Sequence, residues 1–251
     1  MTPSILRIAA SMLLSTALSA WAATTNHPAE KHKFNTPPSA DLQYKVKAKQ
    51  SGIPLEGDAQ VKWLAEKGTF LLLTEMRAMI FGKIIDAKSE GAINAFGLAP
   101  SLFTEKRFRK DATTTTFDHD AKTIRFSASN ENYPILGGEQ DRNSAVWQLI
   151  SIARGMPQKL KPGTSIDLFV AGQRDADIWT FKVLQPEKIQ TAMGDINAVH
   201  IIKVNPSESN SQQLDIWLAP SIEWYPLRLR YTDRDGDFIE QTLVNVLHKP
   251  S

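Results

Sequence analysis

The stretch DLQYKVKAKQSGIPLEGDAQVKW, residues 41–63, decides the fold. In its first half the apolar residues Leu42, Tyr44 and Val46 alternate with polar ones, which is the period-two pattern of a strand with one buried face. The residues from Ser51 to Pro54 have the composition of a turn, and the same alternation then resumes up to residue 63. The segment therefore predicts two neighbouring antiparallel strands with one face on a core and one in water.

Similar alternating segments recur along most of the chain and predict an all-β, mainly antiparallel protein. Further strands are expected at residues 69–78, 83–93, 101–109, 112–117, 123–128, 165–171, 178–184, 188–192, 196–204, 213–218, 225–232 and 238–247. Sequential strands pair with their neighbours by default, so we expect one curved sheet, a half-barrel or a clam-like sheet.

One segment departs from this pattern and predicts an amphipathic helix from Ala145 to Arg154. Its apolar residues Val146, Leu149, Ile150 and Ala153 recur at helical spacing. Asp141, Asn143 or Ser144 is the candidate cap at the start, and Gly155 with Pro157 ends the helix. The apolar stripe must be covered, so we expect the helix on the concave face of the sheet with Trp147 mostly buried.

The N-terminus has the organisation of an export signal. Arg7 precedes an apolar run that ends in Ala20-Trp21-Ala22, the small-x-small spacing of a signal peptidase site. We therefore expect a signal peptide at residues 1–22, a flexible polar leader at residues 23–40, and a single β-rich domain at residues 41–248. The expected location is the periplasm, and no further apolar run is long enough for a transmembrane helix.

Composition narrows the classes of function. Hydrophobic residues make up 42% and charged residues 22% of the 251 residues, which is sufficient for a packed core. The formal net charge of +2 argues against a nucleic-acid partner, which requires a concentrated basic surface. The chain has no cysteine, which excludes disulfides and lipid attachment through an N-terminal cysteine.

No catalytic, metal-binding or cofactor-binding motif is apparent, so we assign no catalytic residue, no metal ligand and no cofactor. The five histidines show no zinc-site spacing. The sequence Asp118-His119-Asp120 is either a solvated hairpin tip or a metal or acid/base cluster. His200 is predicted to be packed in its strand or to point at a polar rim. The turn containing Asp233, Asp235 and Asp237 lacks the spacing of a calcium loop.

Two features allow a binding role. The tryptophans of the strands and the helix either line an apolar cavity or fill the core; they are Trp63, Trp147, Trp179 and Trp217. The basic segment from Lys106 to Lys110 is either a surface for anionic lipid headgroups or a solvated edge strand that resists aggregation.

Several stretches carry a resemblance to a known family. They are YKVKA (44–48), GIPLEGDA (52–59), QDRNSAVWQL (140–149), LKPG (160–163), DIWTFKV (177–183), LDIWLAP (214–220) and WYPLRL (224–229). Together they resemble the bacterial exported family called domain of unknown function 3108, over residues 41–247. The resemblance implies a periplasmic, mostly antiparallel β protein and supplies no catalytic residues. A long sheet covered by a helix is also similar, as a fold only, to the half-barrel of outer-membrane lipoprotein carriers.

Three functions remain open at this point. The first is a periplasmic, non-enzymatic binding module for a lipid or another apolar small molecule. The second is a cell-envelope protein, structural or for protein interaction, with a filled core and an envelope protein as partner. The third is an uncharacterised enzyme, for which the cluster around His119 is the residue set to test.

Overall fold

The computed structural model describes residues 27–205 and 212–249, and the expected signal peptide at residues 1–22 lies outside the described residues. Within these ranges the chain forms sixteen strands and one α-helix. The strands are β1 (Ala40–Gln50), β2 (Ile53–Glu66), β3 (Thr69–Ala78), β4 (Gly82–Asn94), β5 (Gly97–Arg107), β6 (Thr113–Asp118), β7 (Thr123–Phe126), β8 (Asn132–Pro134), β9 (Gln140–Asp141), β10 (Ser165–Ala171), β11 (Ala176–Val183), β12 (Glu187–Thr191), β13 (Gly194–Val204), β14 (Gln213–Leu218), β15 (Pro226–Thr232) and β16 (Phe238–His248). The helix α1 spans Ser144–Gly155.

The strands make one long sheet in which nearly all neighbours are antiparallel. Strands β1 to β8 follow one another in space as in sequence, and β1 also pairs with β16, Ala40 opposite His248. From β16 the sheet continues through β15, β14, β13, β11 and β10 to β9, which is parallel to β10, and β12 pairs only with β13. The predicted all-β, mainly antiparallel fold with one helix is confirmed.

The sheet curls until its two ends face each other through side chains. No backbone pairing joins β8 to β9 in the described chain, so the sheet is an open half-barrel. A cluster of aromatic residues fills the gap, with Phe103, Phe117 and Phe126 from one end and Phe169 from the other. The Thr115 hydroxyl donates a 2.7 Å hydrogen bond to the Gly172 carbonyl across the same gap.

Helix α1 lies inside the concave side of this half-barrel. Every residue from Ser144 to Ala153 is buried, which exceeds the single stripe that the sequence predicts. The Gln148 side chain ties the helix to the sheet, because its Oε1 accepts from the Leu98 amide at 2.9 Å and its Nε2 donates to the Phe96 carbonyl at 2.8 Å. Within the described residues, no helix has the length and apolar character to cross a membrane.

The described part of the expected leader, residues 27–39, lies against the end of the barrel where α1 finishes. The Asn35 amide donates to the Ser151 carbonyl at 2.9 Å, and the Trp63 indole donates to the Pro37 carbonyl at 3.0 Å. Gly155 allows the close approach, since a Cβ at this position would lie 2.6 Å from the Lys33 carbonyl oxygen. Leader and helix together therefore fill this end of the barrel.

The packing of α1 on the sheet centres on two tryptophans. Trp147 stacks on Trp63 with ring centroids 4.4 Å apart, and Tyr225 approaches Trp147 edge-on at 6.0 Å. Trp147 is 4% exposed, which agrees with the prediction that it is mostly buried. Such offset stacking adds to the apolar area that both rings bury.

We expect Trp147→Ala to lower the free energy of unfolding by about 3–5 kcal/mol, because the void left beside Trp63 cannot collapse fully. Chemical denaturation with fluorescence detection measures this loss. Trp179→Ala is the matched control and should cost less, because Trp179 is only partly buried. Equal stability of the Trp147 variant and the wild type would contradict the observed placement of the helix.

Candidate functional site

The half of the barrel that α1 leaves unfilled contains a cavity of about 390 Å³. It lies between strands β3 to β5 on one side and β11, β15 and β16 on the other. Its wall is mainly apolar, and the apolar side chains include Met76, Ile85, Ala87, Phe103, Trp179 and Ile239. The volume falls in the range of roughly 300–1,000 Å³ that is typical of small-molecule sites.

Arg142, which directly precedes the N-cap of helix α1, adds a charged side chain to this mainly apolar cavity. Arg142 lines the cavity and forms no ion pair with any residue in the described ranges. The buried Glu105, which also lines the cavity, is paired with Arg107 instead. Together with Lys110, the lining carries three cations and one carboxylate. The cavity therefore has an excess of positive charge and an uncompensated guanidinium.

The electrostatics of neighbouring groups show the influence of Arg142. Burial holds the pKa of Lys203 below its usual range, and the positive charge of Arg142 lowers this pKa further. The Lys203 ammonium lies 4.6 Å from the centre of the Trp179 ring, which compensates part of its desolvation. Burial raises the pKa of the Tyr231 hydroxyl, and Arg142 opposes that rise. The charge of Arg142 therefore reaches two groups on nearby strands.

Asp141 holds the turn that presents Arg142. Its Oδ1 accepts hydrogen bonds from the amides of Asn143 and Ser144 at 2.8 Å each, and its Oδ2 accepts from the Ser89 hydroxyl. Asp141 is fully buried, and this burial raises its pKa to about 6 although the hydrogen bonds oppose the rise. The sequence offered Asp141, Asn143 and Ser144 as candidate helix caps. Of these, Asp141 accepts the hydrogen bonds from the backbone amides at the start of the helix.

Two more side chains offer hydrogen-bonding atoms. The Asn143 Nδ2 and the Gln241 Oε1 are buried and have no hydrogen-bond partner in the described part of the chain. The Thr74 hydroxyl fixes the orientation of Asn143 by donating to its Oδ1 at 2.9 Å. Asn143 and Gln241 also line a smaller pocket of about 60 Å³ that extends toward Trp147. One donor and one acceptor thus remain available next to Arg142.

The four tryptophans that the sequence singled out occupy different environments. Trp179 lines the main cavity, and Trp147 lines the smaller pocket next to it. Trp63 is fully buried in the core behind Trp147. Trp217 lines neither space and stacks on His200, with ring centroids 4.3 Å apart. The structure therefore brings only Trp179 and Trp147 to the candidate site.

Sequence reasoning missed Arg142, Asn143 and Gln241. The first two were visible only as the lead-in of a helix, and no local pattern distinguishes Gln241 in its strand. Their proximity depends on strands far apart in the chain, so the sequence contains no short-range signal for it.

The cluster around His119 lies in the turn between β6 and β7, away from the cavity. His119 Nε2 is 2.7 Å from the Pro100 carbonyl oxygen, and Asp118 Oδ1 accepts from the Ala121 amide at 2.8 Å. The Asp118 contact is that of a hairpin turn, and the His119 contact joins this turn to β5. Across residues 27–205 and 212–249, no three His, Asp or Glu side chains gather in a way that could hold a metal ion.

The structure packs the His200 ring on Trp217 and places both of its nitrogens next to carboxylates. Its Nε2 lies 2.8 Å from Asp215 Oδ1, and its Nδ1 lies 2.8 Å from Glu187 Oε1. Glu187 also accepts from the Trp217 indole at 3.0 Å. Burial lowers the pKa of His200, but the hydrogen bond to Asp215 and the charge of Glu187 outweigh it and raise the pKa above its usual value.

Comparison with known proteins gives a family and a fold. The family model described as "Protein of unknown function (DUF3108)" matches residues 43–244. No curated protein matches the chain. Among solved structures, the chain is similar to a beta-barrel-like protein of domain of unknown function DUF1849 from Brucella abortus, with 13% identity, 86% of this chain and 99% of that chain covered, and a TM-score of 0.52. This likeness supports the barrel-like fold alone.

Two further likenesses are weaker. A DUF1329 family protein from Desulfovibrio piger shares 7% identity, with 86% of this chain and 87% of that chain covered and a TM-score of 0.29. The Mycobacterium tuberculosis lipoprotein LppX shares 10% identity, with 84% of this chain and 88% of that chain covered and a TM-score of 0.28. At these scores neither carries an argument about this chain.

We expect the stability contributed by His200 to decrease at alkaline pH. Folding raises its pKa, so the contribution is complete below the unfolded pKa near 6.5 and is lost as the pH rises through the folded value. The difference in unfolding free energy between the wild type and His200→Gln, measured from about pH 5 to about pH 9, should be largest at the acidic end and become smaller as the pH rises. A constant offset of His200→Gln from the wild type across this pH range would contradict the expectation.

Proposed function

The chain belongs to the DUF3108 family, and we propose that it is a periplasmic, non-enzymatic binding module for an amphiphile. The ligand combines an apolar chain with an anionic head, as a fatty acid or an anionic lipid does. The observation that carries this proposal is the unpaired Arg142 in a cavity with a mainly apolar wall.

The chemistry of the cavity supports this class of ligand. Apolar side chains from both halves of the barrel would replace water around a hydrocarbon chain, which is favourable in proportion to the area buried. A carboxylate or phosphate would compensate the Arg142 charge through charge-assisted hydrogen bonds. The free Asn143 Nδ2 would donate to the same head group, because it lines the same space.

The proposed location rests on the N-terminal sequence. Arg7, the apolar run after it and Ala20-Trp21-Ala22 form the expected signal. The absence of cysteine means that the folded domain does not depend on disulfide formation in that compartment.

The alternative functions make different demands on the structure. A structural or protein-interaction module of the envelope would need a filled core, whereas the described residues enclose about 390 Å³ beside the helix. An enzyme would need a free nucleophile or acid/base group facing a substrate. The one carboxylate that the described residues place on the cavity wall, Glu105, is paired with Arg107, and the cluster around His119 does not line the cavity. A binding module therefore accounts better for the open half of the barrel.

Uptake of a fluorescent fatty acid by the purified domain tests the proposal. We expect Arg142→Gln to weaken binding of the anionic probe by about ten-fold or more, because a charge-assisted contact in an apolar site is lost. The uncharged methyl ester of the same probe should bind both proteins equally. Arg174→Gln is the matched control, since Arg174 is exposed and does not line the cavity.

A second variant tests the cavity itself. Ala87 is buried in β4 with its side chain on the cavity wall, so Ala87→Trp should fill the space and reduce uptake of the acid and the ester alike. Denaturation curves verify that each variant is folded. Absence of uptake by the wild type, together with purified protein free of lipid by mass spectrometry, would refute the proposal.

A further inference from the structure

An apolar tip projects from the barrel at the end where the cavity lies. It is made of Met79, Ile80 and Phe81, which connect β3 to β4, and of Phe108, which follows β5. Their exposed fractions are 77%, 78%, 47% and 40%, respectively. The rings of Phe81 and Phe108 touch, with centroids 5.7 Å apart. Single exposed apolar residues are common, whereas four that are adjacent in space suggest an interaction surface.

The apolar tip is continuous with the cavity wall. Phe108 and Ile84 both line the cavity, and the Phe108 amide donates to the Ile84 carbonyl at 2.9 Å. Ile84 lies three residues after Phe81 at the start of β4. An apolar surface therefore runs from the exposed tip into the cavity.

Unpaired cations flank the tip. Lys106, Arg109 and Lys110 are exposed and form no ion pair with any residue of the described ranges. The Arg109 guanidinium lies 4.9 Å from the centre of the Phe108 ring. Asp111 is the acidic residue of segment 106–111, and the basic residues of the segment outnumber it. The segment therefore has an excess of positive charge. On the other side of the tip, Arg77 pairs with Glu75, and Lys83 pairs with Glu75 and Asp86.

The position of these cations connects them with the apolar tip. The sequence allowed a solvated edge strand as one interpretation of residues 106–110. In the structure only Lys106 and Arg107 of this segment belong to β5, at the end beyond its pairing with β6, and residues 108–110 lie in the connection to β6. The cations instead surround the only large apolar side chain of the β5–β6 connection, Phe108.

We propose that the apolar tip docks on an anionic phospholipid bilayer and inserts Met79, Ile80 and Phe81 among the acyl chains near the headgroups. The apolar side chains leave water, while Lys106, Arg109 and Lys110 meet the phosphates, the combination that drives interfacial binding. Because the tip continues into the cavity wall, docking places the cavity entrance at the bilayer. This inference goes beyond the proposed ligand binding and does not require an occupied cavity.

Vesicle co-sedimentation of the mature chain tests the docking. We expect binding to vesicles of phosphatidylcholine with phosphatidylglycerol, and weaker binding to phosphatidylcholine alone. The double variant Met79→Ser/Ile80→Ser should lower partitioning by roughly ten-fold or more, since it removes most of the inserted apolar area. Leu247→Ser is the matched control, because Leu247 is 52% exposed and lies near the opposite end of the barrel.

A charge variant tests the electrostatic part. Lys106→Gln/Arg109→Gln should weaken binding to anionic vesicles by about five-fold for each charge and leave binding to neutral vesicles unchanged. Lys62→Gln/Lys188→Gln, at two exposed strand positions away from the tip, is the control with the same change of net charge.

Direct insertion is measured with Ile80→Trp, whose fluorescence should shift to the blue on vesicles and be quenched by brominated lipids. Absence of binding to anionic vesicles, equal binding to neutral and anionic vesicles, or unchanged binding of the tip variant would each overturn the proposal. Fatty-acid uptake in vesicle-free buffer separates this result from the proposed function. The tip variant should keep that uptake, and Arg142→Gln should keep vesicle binding.

Discussion

The structure depends on how the concave face of a curved sheet is covered. The side chains of this sheet do not fill the whole space that its curvature encloses. Its inner apolar face therefore needs another element to cover it. Helix α1 supplies that element, and the stack of Trp147 on Trp63 joins it to the sheet. The helix has twelve residues and fills only part of the concavity. The cavity is the part of the concavity that the helix does not cover, so the length of the helix limits the size of the cavity.

The same helix also determines the chemistry of the cavity. The buried Asp141 carboxylate accepts the amides of Asn143 and Ser144, and this turn places Arg142 in the apolar space. Burial of Asp141 has an energetic cost, which its raised pKa of about 6 reflects. The element that fills one end of the barrel thus positions the charged group at the other.

Local periodicity was sufficient to predict most of the fold. Every strand of four or more residues falls in a segment with alternating or β-branched residues, and the helix falls where the spacing changes to that of a helix. The two shortest strands, β8 and β9, were not predicted because two or three residues are too few to show a period.

The candidate site was harder to predict from the sequence than the fold. Trp179 was found through its type, but Arg142 and Gln241 meet only through packing that no local pattern encodes. The same holds for Tyr44, whose hydroxyl donates to the Pro226 carbonyl 182 residues away in the chain.

The pairing of β1 with β16 has a consequence for how the chain folds. The first strand of the sheet has the last strand as one of its two neighbours, with Ala40 opposite His248. Strands β2 to β8 can pair in chain order, but this side of β1 remains open until β16 reaches it. Contacts between such distant segments form slowly, because a long loop must close before they contribute. A folding chain of this topology therefore keeps an unpaired strand edge until β16 docks on β1.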